Sequence, residues 1–298
     1  MTLAARFIAS SSSSRRSRQQ SWLAALLMSF AFALSGCAHL NPPAPSPTLS
    51  REGITEIVAS PDRSEFDHKM DATRKPEQLL AFIGVRPGMT VLDLSTGGGY
   101  TAELLARAVG PTGMVYGQSE PRDPNRAPPP VPENGPLAAA LRAATPPGPR
   151  LTSPETLAKR AESAYLTNLR SVVLPFESPA PAELAQNGFD LATLLYNYHD
   201  LQHAGVDRAA MNRAIHAALK PGGLYVIIDH AGRPGTGISE AGILHRMEEA
   251  FLIGEVEAAG FKLAGSADFL RNPADPRDQV MPEPPMTKDQ FVVKFVKP

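Results

Sequence analysis

The sequence predicts an α/β fold, a three-layer sandwich around a mainly parallel sheet, and three observations carry that expectation. Strand-like apolar runs alternate with helical patterns over residues 90–296. One run, Val91-Leu92-Asp93-Leu94, leads through Ser95 and Thr96 into Gly97-Gly98-Gly99 and then a helical pattern over residues 100–109. Another, residues 224–229, is apolar without alternation up to its final Asp229, as in a strand covered on both faces. A strand that enters a helix through glycines lets the backbone approach a ligand and points helix N-terminal N–H groups at it. Residues 91–106 are therefore the candidate nucleotide-type cofactor site.

With 298 residues, 43% of them apolar, the chain can bury one sizeable core. Its 29 basic and 30 acidic residues nearly cancel, but the first 36 residues hold four arginines and no acid. The remainder is net acidic, which excludes a nucleic-acid partner held by a basic surface.

Residues 1–36 read as a targeting segment: a basic, serine-rich start, then an apolar run over residues 22–34 that is too short to span a bilayer. Leu34-Ser35-Gly36-Cys37 resembles the bacterial lipobox, which implies lipidation of Cys37, attachment to a membrane, and a place in the cell envelope on the periplasmic side, at the outer membrane. The alternative is a buried cysteine after an apolar helix. Ser14-Arg15-Arg16 resembles a twin-arginine export signal, with Arg18 where that pattern has an apolar residue. Cys37 is the only cysteine, so a chain lipidated there has neither disulfide nor thiol catalyst. Residues 37–50, with four prolines, suit a semi-rigid tether.

The folded domain is expected over residues 51–298. Residues 51–82 are helical and strongly charged, either a solvated face or a cap over the cofactor cleft. Residues 85–89 form a turn, 90–94 the first strand and 114–117 the second. The proline-rich stretch at about 121–154, with a short Ala/Leu helix over 137–144, reads as an insertion. A helix over 153–169 follows, capped at Ser153, then strands at 172–175 and 189–196. After these come a helix over 208–219, a Pro221-Gly222-Gly223 turn, the strand over 224–229, one helix over 243–259, and strands over 261–266 and 291–296.

The acid-x-Ser-x-Gly-x-Gly run from Asp93 to Gly99, with Lys220-Pro221-Gly222-Gly223 downstream, resembles the class I S-adenosylmethionine-dependent methyltransferases. Asn197-Tyr198-His199-Asp200, Ile228-Asp229-His230, His245-Arg246 and the run from Phe291 to Pro298 resemble a group of bacterial methyltransferases without an assigned acceptor. The resemblance covers residues 51–298. It implies a Rossmann-like seven-strand sheet with the last strand antiparallel, and S-adenosylmethionine held by Asp93, Ser95, Gly97, Gly99, Tyr100 and Glu120. Ser95 replaces the family's first glycine, and a serine suits that place only at negative φ. The acid expected to hold the ribose falls at Ser119, with Glu120 one residue later, so a one-residue bulge is needed to bring Glu120 into place. Gly97-Gly98-Gly99-Tyr100-Thr101-Ala102 also fits a dinucleotide-binding turn, but that alignment leaves Asp93 as an unpartnered charge inside a buried strand.

Methyl transfer from a sulfonium depends chiefly on positioning, and the segment after the fourth strand faces the transferred methyl in this family. His199 is thus the candidate base for a protonated acceptor, with Asn197, Tyr198 and Asp200 as orienters; the alternative is a hydrogen-bonded loop that caps the next helix. His199, Asp200, His203, Asp229, His230 and His245 are metal-ligand types, yet spacing alone assigns no metal. His245-Arg246 is an acceptor-anion contact or a packing pair. Two functions remain open: a methyltransferase acting on a small-molecule acceptor, and an inactive or repurposed Rossmann-like envelope lipoprotein that binds another ligand or partner. Export favours the second, because S-adenosylmethionine is made in the cytoplasm.

Overall fold

Seven strands form one sheet in the order β3-β2-β1-β4-β5-β7-β6. The computed structural model describes residues 47–121, 151–163, 165–280 and 286–298. Cys37, the targeting segment, most of the tether and the bulk of the proline-rich insertion lie outside the described residues. The strands are β1 (Thr90–Leu94), β2 (Met114–Ser119), β3 (Leu169–Val173), β4 (Phe189–Leu195), β5 (Leu219–His230), β6 (Lys262–Ala267) and β7 (Gln290–Val296). β1 pairs in parallel with β2 and β4, β2 with β3, and β4 with β5. β7 is antiparallel to both β5 and β6, so the last strand inserts between its two predecessors.

Seven helices of eight residues or more flank the sheet among the described residues: α1 (Arg51–Val58), α2 (Glu65–Arg74), α3 (Pro76–Ile83), α4 (Tyr100–Val109), α5 (Ser153–Ala161), α6 (Arg208–Ala218) and α7 (Glu249–Ala258). The pleat divides β1 between two apolar layers. Leu92 and Leu94 pack with Met211, Ile215, Leu252 and Val256 of α6 and α7, whereas Val91 packs with Ile54, Leu80, Leu105 and Leu157 of α1, α3, α4 and α5.

Several element boundaries differ from the sequence expectation, among them the end of the helix expected over 153–169, which stops at Ala161, and the strand expected over 172–175, which is Leu169–Val173. The helical stretch over 51–82 is three helices, because Ser64 caps a new helix through the Asp67 N–H and Lys75 adopts φ 51° between α2 and α3. The cap of α5 is Thr152 rather than Ser153, and it exchanges hydrogen bonds with Glu155 as a capping box. The single helix expected over 243–259 is instead a helical turn, Ala241–Leu244, then His245 at φ 52°, then α7. That break lets Met247 pair with Ala231 and Arg246 enter the core.

Candidate functional site

The sheet order reverses between β1 and β4, and a ligand crevice opens beyond the carboxyl ends of strands at such a switch point. Asp93 is fully buried there. Its two oxygens accept from the hydroxyls of Thr193 and Thr96, each at 2.6 Å. Burial pushes its pKa up to about 6, with the threonine hydrogen bonds and Arg74 pulling the other way.

The turn that follows is left-handed at Ser95 (φ 50°), Gly97 (φ 57°) and Gly99 (φ 89°). Ser95 therefore departs from the negative φ expected for a serine in this place. Its N–H donates to Gln118 Oε1 at 3.0 Å and its hydroxyl to Asn197 Oδ1 at 2.8 Å, contacts that hold a conformation costing a non-glycine residue about 1–2 kcal/mol. Tyr196, at the end of β4, is likewise left-handed at φ 63°. Both left-handed residues, Ser95 and Tyr196, line the cleft at the switch point.

Gly99 shows why the turn is glycine-rich. A Cβ there would lie 2.6 Å from Leu157 Cδ1 and 3.1 Å from Arg160 Cδ, whereas a Cβ on Gly97 meets nothing within 4 Å. Gly99→Ala is expected to lose about 2–4 kcal/mol in urea unfolding, and Gly97→Ala only about 1 kcal/mol. Equal losses would mean that backbone strain alone, without the contact to α5, sets the preference.

Of residues 51–82, only α2 lines this cleft in the manner of a cap, whereas α1 and α3 pack in the apolar layer with Val91 and Leu105. Phe66, Asp67 and Arg74 line a cleft of about 400 Å³ together with Asp93, Ser95–Gly98, Tyr100, Arg160, Tyr196 and Asn197. The cap is fastened by ion pairs. Arg160 of α5 reaches Asp67 at 2.5 Å, pairs with Glu103 of α4, and donates to the Gly98 carbonyl at 2.8 Å. Arg107 joins Glu103 to Asp62, whose carboxyl it holds down at about 2. Asp71 accepts from Arg63 at 2.8 Å and from the Tyr100 hydroxyl at 2.6 Å.

Sequence reasoning missed Arg74 as a site residue. Its guanidinium lies 5.2 Å from the Tyr100 ring centre and 4.6 Å from that of Tyr196, and no hydrogen bond or ion pair to it is found among the described residues. A cation held between two aromatic faces with its donors free can pair with a carboxylate that enters the cleft. The only sequence signal was the charge run itself.

The ribose side differs from the expected pattern. β2 and β3 pair in unbroken register through Gln118↔Val172 and Ser119↔Val173, so the bulge needed to move Glu120 is absent. The Glu120 carboxylate accepts from the Phe176 N–H at 2.9 Å. Ser119 Oγ is buried without a hydrogen-bond partner among the described residues.

After β4, Asn197 faces the cleft, but Tyr198 does not. The Tyr198 ring is fully buried in the core against α6 and α7, its hydroxyl donating to Glu255 at 3.1 Å and accepting from Asn212 at 2.8 Å. The orienting role expected of Tyr198 is corrected accordingly. His199 is buried, with Nδ1 2.6 Å from Asp229 Oδ1 and Nε2 3.2 Å from Asp200 Oδ1. Burial alone would lower its pKa, but Asp229 and Asp200 outweigh it and raise the value to about 9. At neutral pH His199 therefore holds a proton and is no base in this state. Asp200, which burial would raise, is brought down to about 2 by His199 and His245. His203 carries no ligand position in this arrangement, whereas His245 approaches Asp200 Oδ1 at 2.8 Å. Arg246 is fully buried and paired with Asp275, which makes it a packing residue rather than an acceptor contact.

No protein-family model and no curated protein sequence matches the chain. Solved structures do match in fold. A SAM-dependent methyltransferase from Aquifex aeolicus aligns at 17% identity over 84% of this chain and all of its own, with a TM-score of 0.51. A candidate sarcosine dimethylglycine methyltransferase from Galdieria sulphuraria aligns at 13% identity over 85% of this chain and 93% of its own, with a TM-score of 0.50. The chain thus has the Rossmann-like fold of these methyltransferases, with the seven-strand sheet and one antiparallel strand that the sequence resemblance implied.

Proposed function

We propose that the cleft between β1 and β4 binds S-adenosylmethionine and that the protein transfers its methyl group to a small-molecule acceptor. The observation that supports this most directly is the buried Asp93 and left-handed glycine turn at the switch point of a β3-β2-β1-β4-β5-β7-β6 sheet. The residues present fit the methionyl half of such a ligand. Arg74 offers free donors to its carboxylate, Asp93 a negative charge to its ammonium, and the Ser95–Gly98 backbone a close approach. When bound, the cofactor supplies an electrophilic sulfonium methyl.

The chain's own contribution is position and exclusion of water. Ser95 locks Asn197 at the mouth of the cleft, Asp200 stays ionised beside it, and α2 with Phe66 covers the opening. Such positioning supplies much of the barrier reduction in an in-line transfer. Calorimetric titration with S-adenosylmethionine and S-adenosylhomocysteine tests the reading. Micromolar binding is expected, and Arg74→Gln should weaken it about tenfold to hundredfold with little change in thermal midpoint. Absence of heat from both ligands at high micromolar concentration overturns it.

A second reading, a repurposed or inactive envelope lipoprotein anchored through Cys37, is favoured by Ser119, which leaves the ribose without an acid on β2. Copurification of an adenosyl ligand with the protein would count against it. Palmitate labelling that is lost in Cys37→Ala tests the anchor itself.

A further inference from the structure

We infer that His199, Asp200 and His245 form a binding site for a divalent transition-metal ion. One ligand atom from each residue falls within 4.8 Å of the others. Both imidazoles aim a nitrogen at the same carboxylate oxygen, His199 Nε2 at 3.2 Å and His245 Nδ1 at 2.8 Å from Asp200 Oδ1. Their rings stand 5.5 Å apart at 85°, so the two nitrogens converge from different directions.

Behind this group stands a fourth residue. Asp229, fully buried at the end of β5, accepts from the His199 ring through Oδ1 at 2.6 Å and from the His199 backbone N–H through Oδ2 at 2.8 Å. That pair fixes the imidazole orientation and leaves Nε2 as the nitrogen presented outward. A carboxylate behind a metal-bound histidine has this arrangement, and it raises the basicity of the ligand. The fold brings the parts together from far apart in the chain: His199 and Asp200 on the turn after β4, Asp229 on β5, and His245 in the left-handed break before α7.

Two imidazoles and a carboxylate suit zinc, iron, cobalt or manganese better than magnesium or calcium, which prefer oxygen alone. The Asp200 and His245 side chains remain 40% and 47% exposed, so the group has an open side for water or another ligand. Lys288 interacts electrostatically with both Asp229 and Asp200 and offsets one of their charges, which leaves the cluster net negative once both imidazoles are neutral. The inference stands on these four residues and is independent of whether the neighbouring cleft holds an adenosyl ligand.

The test uses untagged protein, stripped with chelator and titrated with Co²⁺ while its visible absorption is followed, with Zn²⁺ as competitor. One equivalent of Co²⁺ should bind, and Zn²⁺ should displace it. His245→Ala, whose half-exposed side chain makes folding safe, should weaken Co²⁺ at least a hundredfold. Asp229→Asn should weaken it about tenfold to hundredfold, because it acts through His199. Circular dichroism confirms that each variant is folded. Absence of a stoichiometric Co²⁺ spectrum in the wild type, or an unchanged affinity in folded His245→Ala, overturns the inference.

Discussion

Asp93→Asn should abolish S-adenosylmethionine binding and at the same time make the unliganded protein more stable at pH 8. The native pKa of about 6 lies above the ordinary 3.8 because burial disfavours the charged form. A carboxyl with a raised native pKa favours the folded state fully below pH about 4, and this contribution is lost as pH rises through about 6. At pH 8 the ionised Asp93 thus costs about 3 kcal/mol relative to its acidic state. An amide keeps hydrogen bonds to Thr96 and Thr193 without that charge, so a gain of about 1–3 kcal/mol over wild type is expected at pH 8 and none at pH 4. Urea unfolding at both pH values measures it. The variant losing stability equally at both would show that the two threonines require a carboxylate. A cationic ligand favours ionised Asp93, so wild-type affinity should also fall about tenfold for each unit that pH drops below 6, which calorimetry at pH 5 and 7 reads directly.

Arg246→Met should cost about 3–5 kcal/mol. Arg246 is 0% exposed. It donates to Asp275 at 2.8 and 3.1 Å and to the carbonyls of Ala231 and Gln279, each at 3.1 Å. Asp275 in turn accepts from the backbone N–H groups of Arg277 and Asp289. Removing the guanidinium leaves a buried carboxylate without its cation, which is costlier than the pair is favourable. Adding Asp275→Asn should recover part of the loss, since the amide still accepts from one N–H and carries no charge. A single variant within 1 kcal/mol of wild type in chemical denaturation would refute the role.

The sheet was legible because its signals are local. The acid-ended β1, the glycine turn and the apolar β5 each carry a pattern that the chain can hardly realise otherwise. The break at His245 was not, because apolar residues continue through it at helical spacing and only the pairing of Met247 with Ala231 overrides them. Within the site, Asp93 and the glycines follow from the strand-to-helix geometry. Tyr198 and His199 are adjacent in a short turn, where no periodicity tells which side chain enters the core and which meets Asp229. Arg74 was hidden among the other charged residues of its stretch, because charge count is blind to which side of a helix meets the sheet. Ser119 and Glu120 were the reverse case: the spacing posed the question, and the unbroken β2–β3 register answered it.

The cap over the cleft is fastened by polar and charged contacts. α2 buries only Asp67 and exposes Phe66 to 69%, so its attachment rests on the Arg160–Asp67 ion pair, the Tyr100–Asp71 hydrogen bond and the Arg74 contacts with Tyr100 and Tyr196 rather than on apolar area. Ionic fastening depends on charge and is weakened by acid, while its burial shields it from most screening by dissolved salt, whereas the sheet below is held by apolar burial that carries no charge. The opening of α2 is therefore governed by charge. The scaffold that shapes the cleft answers to a different variable.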